Sequence, residues 1–313
     1  MLKKPFDRET WRPQLGAWCT RTLGSAPAET IFEAGWESAV IGVRLGDGRK
    51  VVVKIRPNEP RLSACNRVHR FVHSKGFPCP EPLVGPTPLG RYVATAEAYD
   101  AGGEELPTSA ERTEHLAKVL ARLVKTMPLL TDVPPLDPPP AWAWWNHPAR
   151  GLWPPPAEGH VDLNAHRSEP PWLIDAVTRA RTRLRVATLP SVVGHADWQS
   201  RHLRYADGEI HVVYDWDSVC ALPEPTIVGL AAAMFPMSTE TPAASLAETS
   251  DFIGAYALAR GHLWTREEQE LAWAASLWAM CYSAKGEALD EAIGPASAML
   301  FAQRDERLRR AGC

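Results

Sequence analysis

The chain carries the segment HADWQSRH at residues 195–202 and the segment DWD at residues 215–217, and these two stretches decide its fold. The residues between them, 203–214, alternate apolar and polar side chains around an Ala-Asp-Gly turn, a pattern typical of a β-hairpin. Because a hairpin brings together the residues that flank it, we expect the carboxylates of the two segments to converge.

Carboxylates gathered at strand ends can hold a hard divalent cation or share a proton. Transfer of a phosphoryl group uses two such groups. One carboxylate orients the attacking hydroxyl and takes its proton, and another holds a metal ion across the nucleotide phosphates. Solvated carboxylates that cap turns are the structural alternative for either segment taken alone.

A lone lysine, Lys54, interrupts the apolar stretch VVVKI at residues 51–55. A lysine on an edge strand, facing water, is the structural interpretation of this position. The functional interpretation is a lysine that points into a cleft and neutralises the phosphates of a nucleotide. The order of the elements, with a hairpin, this lysine and a helix before the two acidic segments, favours the cleft.

The rest of the pattern predicts an α+β fold with two lobes. Residues 30–56 alternate with a period of two and predict a hairpin preceded by another strand, whereas residues 62–75 repeat apolar side chains at helical spacing. We place the lobe boundary after a predicted strand at 91–97, so that residues 1–100 form a small β-rich lobe and residues 101–313 a larger, mostly helical one. Further helices are predicted at residues 11–24, 116–127, 171–187, 224–235, 242–261, 266–285 and 288–310.

The segment 128–169 combines many of the chain's 29 prolines with four tryptophans, Trp142, Trp144, Trp145 and Trp153. So many prolines exclude a long helix or a central strand, and we interpret the segment as an insertion in the carboxy-terminal lobe. Tryptophans need burial or a ligand, and the pattern leaves both roles open. We expect Trp144 and Trp145 to contribute to the choice of substrate.

Composition and charge exclude several classes of protein. With 34 Lys and Arg against 37 Asp and Glu, the net charge of −3 gives no global attraction to nucleic acid or to an anionic membrane. The apolar runs fall short of the roughly 20 residues that span a bilayer, and the first residues lack the apolar core of a secretory signal. Six cysteines without a close pair give neither a zinc-ribbon nor a redox motif. We therefore expect a cytoplasmic protein with no nucleic-acid or membrane partner, and its oligomeric state is not predicted.

The two acidic segments resemble the signatures HGDxxxxN and D-[FW]-[DE] of the aminoglycoside phosphotransferase family, which has the protein-kinase-like fold. The resemblance covers residues 31–235 and, more loosely, the terminal helices. It implies a bilobal fold and a small-molecule kinase that uses ATP or GTP, Mg²⁺ and a hydroxyl acceptor. The acceptor could be an aminoglycoside or another antibiotic, a sugar, or an amino alcohol.

The resemblance also implies a role for each matching residue. Asp197 is implied as the catalytic base, His195 as the residue that organises its loop, and Asp215 as the principal magnesium ligand. Lys54 is implied as the contact to the α- and β-phosphates. The other implied contacts are Gly35 and Ser38 in the phosphate loop at residues 34–38, and the backbone at Glu97 and Tyr99 for adenine. The further candidate metal ligands are His202 and Asp217.

The sequence departs from the family pattern at three places. His202 stands where the family has Asn, and a ring nitrogen suits Mn²⁺ better than Mg²⁺. Either His202 ligates a metal, or it turns away and a water or Gln199 fills the position. The helix position where the family has a glutamate paired with the lysine holds Cys65 or Asn66, and the phosphate loop has a single glycine.

Two alternatives to a kinase stay open. One is a relative that binds nucleotide or another ligand without transfer, and the other is a hydrolase that holds a metal on His195, Asp197 and His202. A cationic acceptor would favour an acidic pocket. The acidic residues of the terminal helices that could wall it are Glu240, Glu248, Asp251, Glu267, Glu268 and Asp290.

Overall fold

A five-stranded antiparallel sheet forms most of the amino-terminal lobe. The computed structural model describes residues 10–35, 38–156, 161–166, 169–238, 240–289 and 294–313. The elements of this lobe are α1 (Arg12–Leu23), β1 (Pro27–Ala34), β2 (Ala39–Leu45), β3 (Lys50–Arg56), α2 (Leu62–Ser74), β4 (Pro82–Leu89) and β5 (Tyr92–Ala98). The strand order across the sheet is β1-β2-β3-β5-β4, so the predicted hairpin of β2 and β3 is confirmed.

Lys54 lies on the central strand of this sheet. β3 is hydrogen-bonded to β2 on one side and to β5 on the other, so the interpretation of Lys54 as an edge-strand lysine is wrong. Its neighbours Val53 and Ile55 point into an apolar core that α1 completes with Trp11 and Trp18. Lys54 itself is only 8% exposed, which requires a partner for its charge.

The edge strand β4 was not predicted beyond a short apolar piece. Its sequence, PLVGPTPL, contains three prolines, which argue against a strand in the middle of a sheet. β4 lies at the end of the strand order and pairs with β5 alone, with two register shifts. An edge needs backbone donors on one side only, so prolines are tolerated there.

The carboxy-terminal lobe is mostly helical, and the predicted α+β class is confirmed. Its elements are α3 (Ala110–Thr126), α4 (Pro171–Arg185), β6 (Ser191–His195), β7 (Leu203–Ala206), β8 (Glu209–Val213), β9 (Val219–Pro223), α5 (Glu224–Met234), α6 (Leu246–Arg260), α7 (Arg266–Ala288) and α8 (Pro295–Arg310). The predicted hairpin is the pair β7 and β8, while β6 pairs with β9, a strand that was not predicted. Within the described ranges, no helix is long and apolar enough to cross a membrane.

Three helix boundaries in the carboxy-terminal part of the chain differ from the prediction. α6 begins at Leu246 rather than residue 242, since Ser245 and Glu248 form a capping box at this position. α7 runs on to Ala288, and α8 begins with Pro295 directly after Gly294. Proline suits the first turn of a helix and cannot continue the preceding one.

Helix α2 belongs to the core of the carboxy-terminal lobe. Ala64, Val68 and Val72 pack in the same apolar cluster as α3 to α8, whereas α1 and the sheet form a cluster of their own. The helix also contacts the short turn at Trp216–Ser218 and strand β9. It therefore joins the two lobes through apolar packing.

The described residues of the insertion contain no α-helix or strand, as predicted. Two single turns, Leu130–Asp132 and Ala141–Ala143, are its regular elements. The segment is attached to α7 by a buried ion pair in which Lys285 Nζ lies 2.6 Å from Glu169 Oε1. Trp145 and Trp153 are buried, with ring centroids 6.4 and 5.8 Å from that of Trp278.

His69 of α2 is buried in the junction between the lobes. Its Nε2 donates to the carbonyl oxygen of Pro80 at 2.8 Å, and its ring stacks on Trp216 with centroids 5.0 Å apart. Burial, with a smaller contribution from the positive charge of Lys54, lowers the pKa of His69 to about 3. The folded protein therefore keeps this ring neutral under mildly acidic conditions.

We expect His69 to make the protein sensitive to acid. In the unfolded chain the ring binds a proton below about pH 6.5, while the folded state excludes it, so stability falls as the pH drops through this window. In His69→Gln, which keeps a donor for Pro80, the loss of unfolding free energy from about pH 7.5 to about pH 5 should shrink by about 1–2 kcal/mol. Urea unfolding at both pH values measures this change.

His73→Gln, an exposed position on the same helix, is the control and should behave as wild type. Equal acid sensitivity of His69→Gln and wild type would contradict the assignment.

Candidate active site

The β7–β8 hairpin brings the two acidic segments together. Leu203 pairs with Val213, so the residues that flank the hairpin meet. Asp197, His202 and Asp215 each offer a ligand atom, and these atoms lie within 4.8 Å of one another. The predicted convergence is therefore observed for Asp197 and Asp215.

His195 connects the two segments through both of its ring nitrogens. The backbone N–H of Asp197 donates to Nδ1 at 3.2 Å, which leaves Nε2 as the protonated nitrogen that donates to the carbonyl oxygen of Asp215 at 3.0 Å. This tautomer is neutral, and burial lowers the pKa of His195 to about 4 even though Asp215 lies nearby. The ring thus sets the position of the main chain on both sides of the site.

The tryptophans of the two segments anchor them to the core. Trp198 donates its indole N–H to the carbonyl oxygen of Leu116 in α3, and Trp216 donates to that of Val213. Both rings are buried and lie edge-on to His195. A rigid base under a polar loop keeps the side chains above it in one geometry.

Asp215 is held in a conformation that few residues adopt. Its backbone is left-handed, with φ of 69°, a region that Asp tolerates better than most side chains. Burial alone would raise the pKa of its carboxyl group, but the His202 ring and the positive charges of Lys54 and Arg56 outweigh burial and lower it. Asp215 is therefore ionised and can bind a cation.

Asp197 has the opposite electrostatic surroundings. Burial, reinforced by the charge of Asp215, raises the pKa of its carboxyl group despite the opposing effect of His202. The Gln199 amide donates to Asp197 Oδ1 at 2.5 Å and fixes that oxygen. Two carboxylates of one cluster thus differ in proton affinity, which is the arrangement that separates a base from a cation ligand.

The cluster fits a divalent cation. It offers the carboxylates of Asp197 and Asp215 and the imidazole of His202, whose Nδ1 donates to the carbonyl oxygen of Asp197 at 3.1 Å and leaves Nε2 with a lone pair. Gln199 Oε1 is buried without a hydrogen-bond partner among the described residues, so a further oxygen is at hand. Oxygen ligands suit Mg²⁺, and the imidazole extends the choice to Mn²⁺.

Lys54 lies beside this cluster, close enough for its charge to act on Asp215. Its Nζ is 3.3 Å from Glu97 Oε1, and both side chains are buried. A buried lysine next to a cation-binding cluster is suited to neutralise the negative charge of a ligand that the cation also contacts.

The family model described as the phosphotransferase enzyme family matches residues 29–223. The chain belongs to this family. No curated protein sequence is significantly similar to the chain.

Solved structures of small-molecule kinases share the fold of this phosphotransferase. A mutant aminoglycoside phosphotransferase in complex with ADP and hygromycin B aligns with 96% of the chain and 99% of its own length, at 12% identity and a TM-score of 0.60. Amicoumacin kinase in complex with AMP-PNP, Ca²⁺ and Ami aligns with 98% of the chain and 90% of its own length, at 12% identity and a TM-score of 0.58. An ethanolamine kinase from Plasmodium vivax aligns with 89% of the chain and 81% of its own length, at 12% identity and a TM-score of 0.52. The predicted protein-kinase-like fold is confirmed.

The phosphotransferase does not bring Asp217 into the cluster. The carboxylate of Asp217 forms an ion pair with Arg56 at the end of β3, and its carbonyl oxygen accepts from Arg61 at 2.7 Å. Neither arginine stands out in the sequence, because each lies near a proline in a stretch that resembles a surface loop. Together they tie the sheet lobe to the DWD segment.

The predicted nucleotide contacts lie around the sheet. Gly35 has φ of 100°, and a Cβ there would collide with the carbonyl oxygen of Ser38, so this tight turn requires glycine. Residues 36 and 37 of the phosphate loop lie outside the described residues. The backbone N–H of Tyr99 donates to the carbonyl oxygen of Lys50 at 3.1 Å, so this N–H is already engaged in the sheet lobe.

The acids of the terminal helices do not form one wall. Glu248 and Glu268 are the capping-box residues of α6 and α7, and their carboxylates accept from the helix-starting backbone. Glu240, Asp251 and Glu267 are exposed. Asp290 lies outside the described residues. The structure thus gives no support to an acidic acceptor pocket built from this set.

Asp215 and Asp217 should separate metal binding from stability in the phosphotransferase. Asp215→Asn, which fits the left-handed backbone, should weaken Mn²⁺ binding at least about 10-fold because an anionic ligand is lost. Asp217→Asn should change Mn²⁺ affinity little but lower the unfolding free energy by about 2 kcal/mol, since Arg56 loses its partner. Calorimetric titration with Mn²⁺ and urea unfolding measure the two effects. An equal loss of Mn²⁺ affinity in both variants would make Asp217 a ligand.

Proposed function

We propose that the protein transfers the γ-phosphoryl group of ATP or GTP to a hydroxyl group of a small molecule. The observation that carries the proposal is the pair Asp197 and Asp215, two carboxylates of one cluster with opposite pKa shifts. Support also comes from the family and from structural relatives that hold ADP or AMP-PNP. At 11 to 13% identity, those relatives support the fold and leave the acceptor open.

Each residue of the site has a role in this reaction. Asp197 accepts the proton of the acceptor hydroxyl as it attacks the γ-phosphorus, and the raised pKa of its carboxyl group favours that step. Asp215, with His202, would hold a divalent cation, which would supply positive charge to neutralise the phosphates. Lys54 donates to the phosphates from the sheet side, and the leaving nucleoside diphosphate stays bound there.

The hydrolase alternative loses one of its three ligands. Both nitrogens of His195 are engaged with the main chain, so this ring has no lone pair for a metal. The alternative of a protein that binds without transfer rests on three departures from the family pattern: His202 in place of Asn, Cys65 or Asn66 in place of the helix glutamate, and the single glycine of the phosphate loop. The described site keeps a base and a cation cluster, which favours transfer.

The acceptor should meet the insertion beside the catalytic loop. Trp142 donates its indole N–H to the carbonyl oxygen of Ala196 at 3.0 Å, and its own carbonyl accepts from Trp278 at 2.9 Å. Its ring is half-buried, whereas Trp145 is buried in packing. The prediction of Trp145 as an acceptor contact is therefore wrong, because its ring is buried against Trp278, and we propose Trp142 and Trp144 as the tryptophans that contact the acceptor. An aminoglycoside, a sugar and an amino alcohol all remain candidate acceptors.

We place the reaction in the cytoplasm. The cysteines of the described residues are all free thiols, four of them buried, as in a reducing compartment. The nucleotide donor is also available there.

Asp197→Asn tests the proposed function. Transfer should fall by about 10²–10⁴-fold, the usual contribution of a general base, while the affinity for Mg·ATP stays within about threefold. ADP release, with a panel of aminoglycosides, sugars and amino alcohols or with water as acceptor, measures transfer, and calorimetry measures binding. Asp207→Asn, at the exposed tip of the same hairpin, is the control. Retention of most of the turnover by Asp197→Asn would refute the mechanism.

Trp142→Phe tests the role of the insertion. The variant keeps an aromatic ring but loses the donor to Ala196, so we expect kcat/KM for the acceptor to fall by about 10-fold through lost orientation. The KM for the nucleotide should not change. Trp172→Phe, at a half-buried tryptophan of α4 whose ring packs against Phe301 of α8, is the matched control. An unchanged acceptor kcat/KM in folded Trp142→Phe would assign the insertion to packing alone.

A further inference from the structure

The carboxylate that pairs with Lys54 comes from the neighbouring strand. In the register of β3 and β5, Glu97 pairs with Val52 and Lys54 with Thr95. Lys54 and Glu97 are therefore diagonal neighbours on one face of the sheet, a distance that long side chains bridge. Their side chains are 10% and 9% exposed, and the Nζ to Oε1 distance is 3.3 Å.

Helix α2 has no carboxylate to offer. Its sequence, LSACNRVHRFVHS, contains neither Asp nor Glu. Cys65 instead faces the main chain of Asp217 and Val219 at 3.7 Å. The charge of Lys54 acts on His69 of this helix and helps to lower its pKa. The neutral ring of His69 already donates to the carbonyl oxygen of Pro80.

Without Glu97, Lys54 would still lie close to the carboxylate of Asp215. The charge of Lys54 already acts on Asp215. An unrestrained ammonium would move toward this carboxylate and compete with the divalent cation for it, because opposite charges attract strongly at a buried site. Glu97 lies on β5 rather than in the acidic segments, so it holds the ammonium on the sheet side.

We infer that Glu97 is the positioning residue of Lys54, and that the phosphate-binding lysine is fixed by the sheet itself rather than by a helix. The inference rests on the proposed function and deepens it. Because β3 and β5 are hydrogen-bonded neighbours, the pair exists without any movement of α2. The lysine is therefore oriented before nucleotide arrives, and the same strand runs directly into the predicted adenine contacts at Glu97 and Tyr99.

A double-mutant cycle on nucleotide binding tests this inference. The variants are Glu97→Gln, Lys54→Met and the double variant, and the measurement is calorimetric titration with Mg·ATP. Glu97→Gln should weaken Mg·ATP binding by about 10-fold in the wild-type background but by less than about twofold in the Lys54→Met background, because a residue that acts through Lys54 has no effect once Lys54 is gone. Glu81→Gln, an exposed acid at the end of the same sheet, is the control and should bind as wild type.

Each result decides the inference. Equal losses in both backgrounds, or wild-type affinity of Glu97→Gln, would overturn it. If Glu97→Gln folds poorly, recovery of its Tm in the double variant supports the pair, since both buried charges are then absent, and no recovery overturns it. Failure of wild type to bind Mg·ATP or to transfer phosphate would instead count against the proposed function, so the two failures are distinguishable.

Discussion

One buried, neutral imidazole holds the active site together. His195 accepts the amide of Asp197 and donates to the carbonyl of Asp215, so main-chain bonds set the distance between the two acidic segments. The carboxylates themselves take no part in this link and stay free for chemistry. A protonated ring could not accept the Asp197 amide, and the low pKa of His195 preserves the link.

The acids around the site are distinguished by what surrounds them. Asp217 is paired with Arg56 and Glu97 with Lys54, so each has a fixed cation. Among the described residues Asp215 has no ion-pair partner but lies near positive charge, and Asp197 accepts a hydrogen bond from the uncharged amide of Gln199. In the proposed reaction these four acids have different roles: Asp217 joins the lobes, Glu97 positions Lys54, Asp215 binds a cation and Asp197 accepts a proton.

The sequence predicts the parts of this arrangement that are local. The hairpin, its flanking acids and the strand lysine are visible because their spacing is short and their periodicity regular. The ion pairs of Arg56 with Asp217 and of Lys54 with Glu97 join residues far apart in sequence, so no local sequence pattern predicts them. The sequence does not predict the edge strand β4, because prolines argue against a strand. It does not predict β9 either, because the strand that β9 pairs with, β6, precedes both acidic segments in the sequence. Trp142 was grouped with the other tryptophans, since only tertiary structure brings its indole to the catalytic loop.

The placement of α2 determines how the two lobes depend on each other for stability. The helix lies in the sequence of the first lobe, but its apolar face completes the core of the second. A chain divided near residue 100 would leave that face in water and a groove in the helical lobe. Separation of the two lobes would therefore expose apolar surface to water, which couples the stability of one lobe to that of the other.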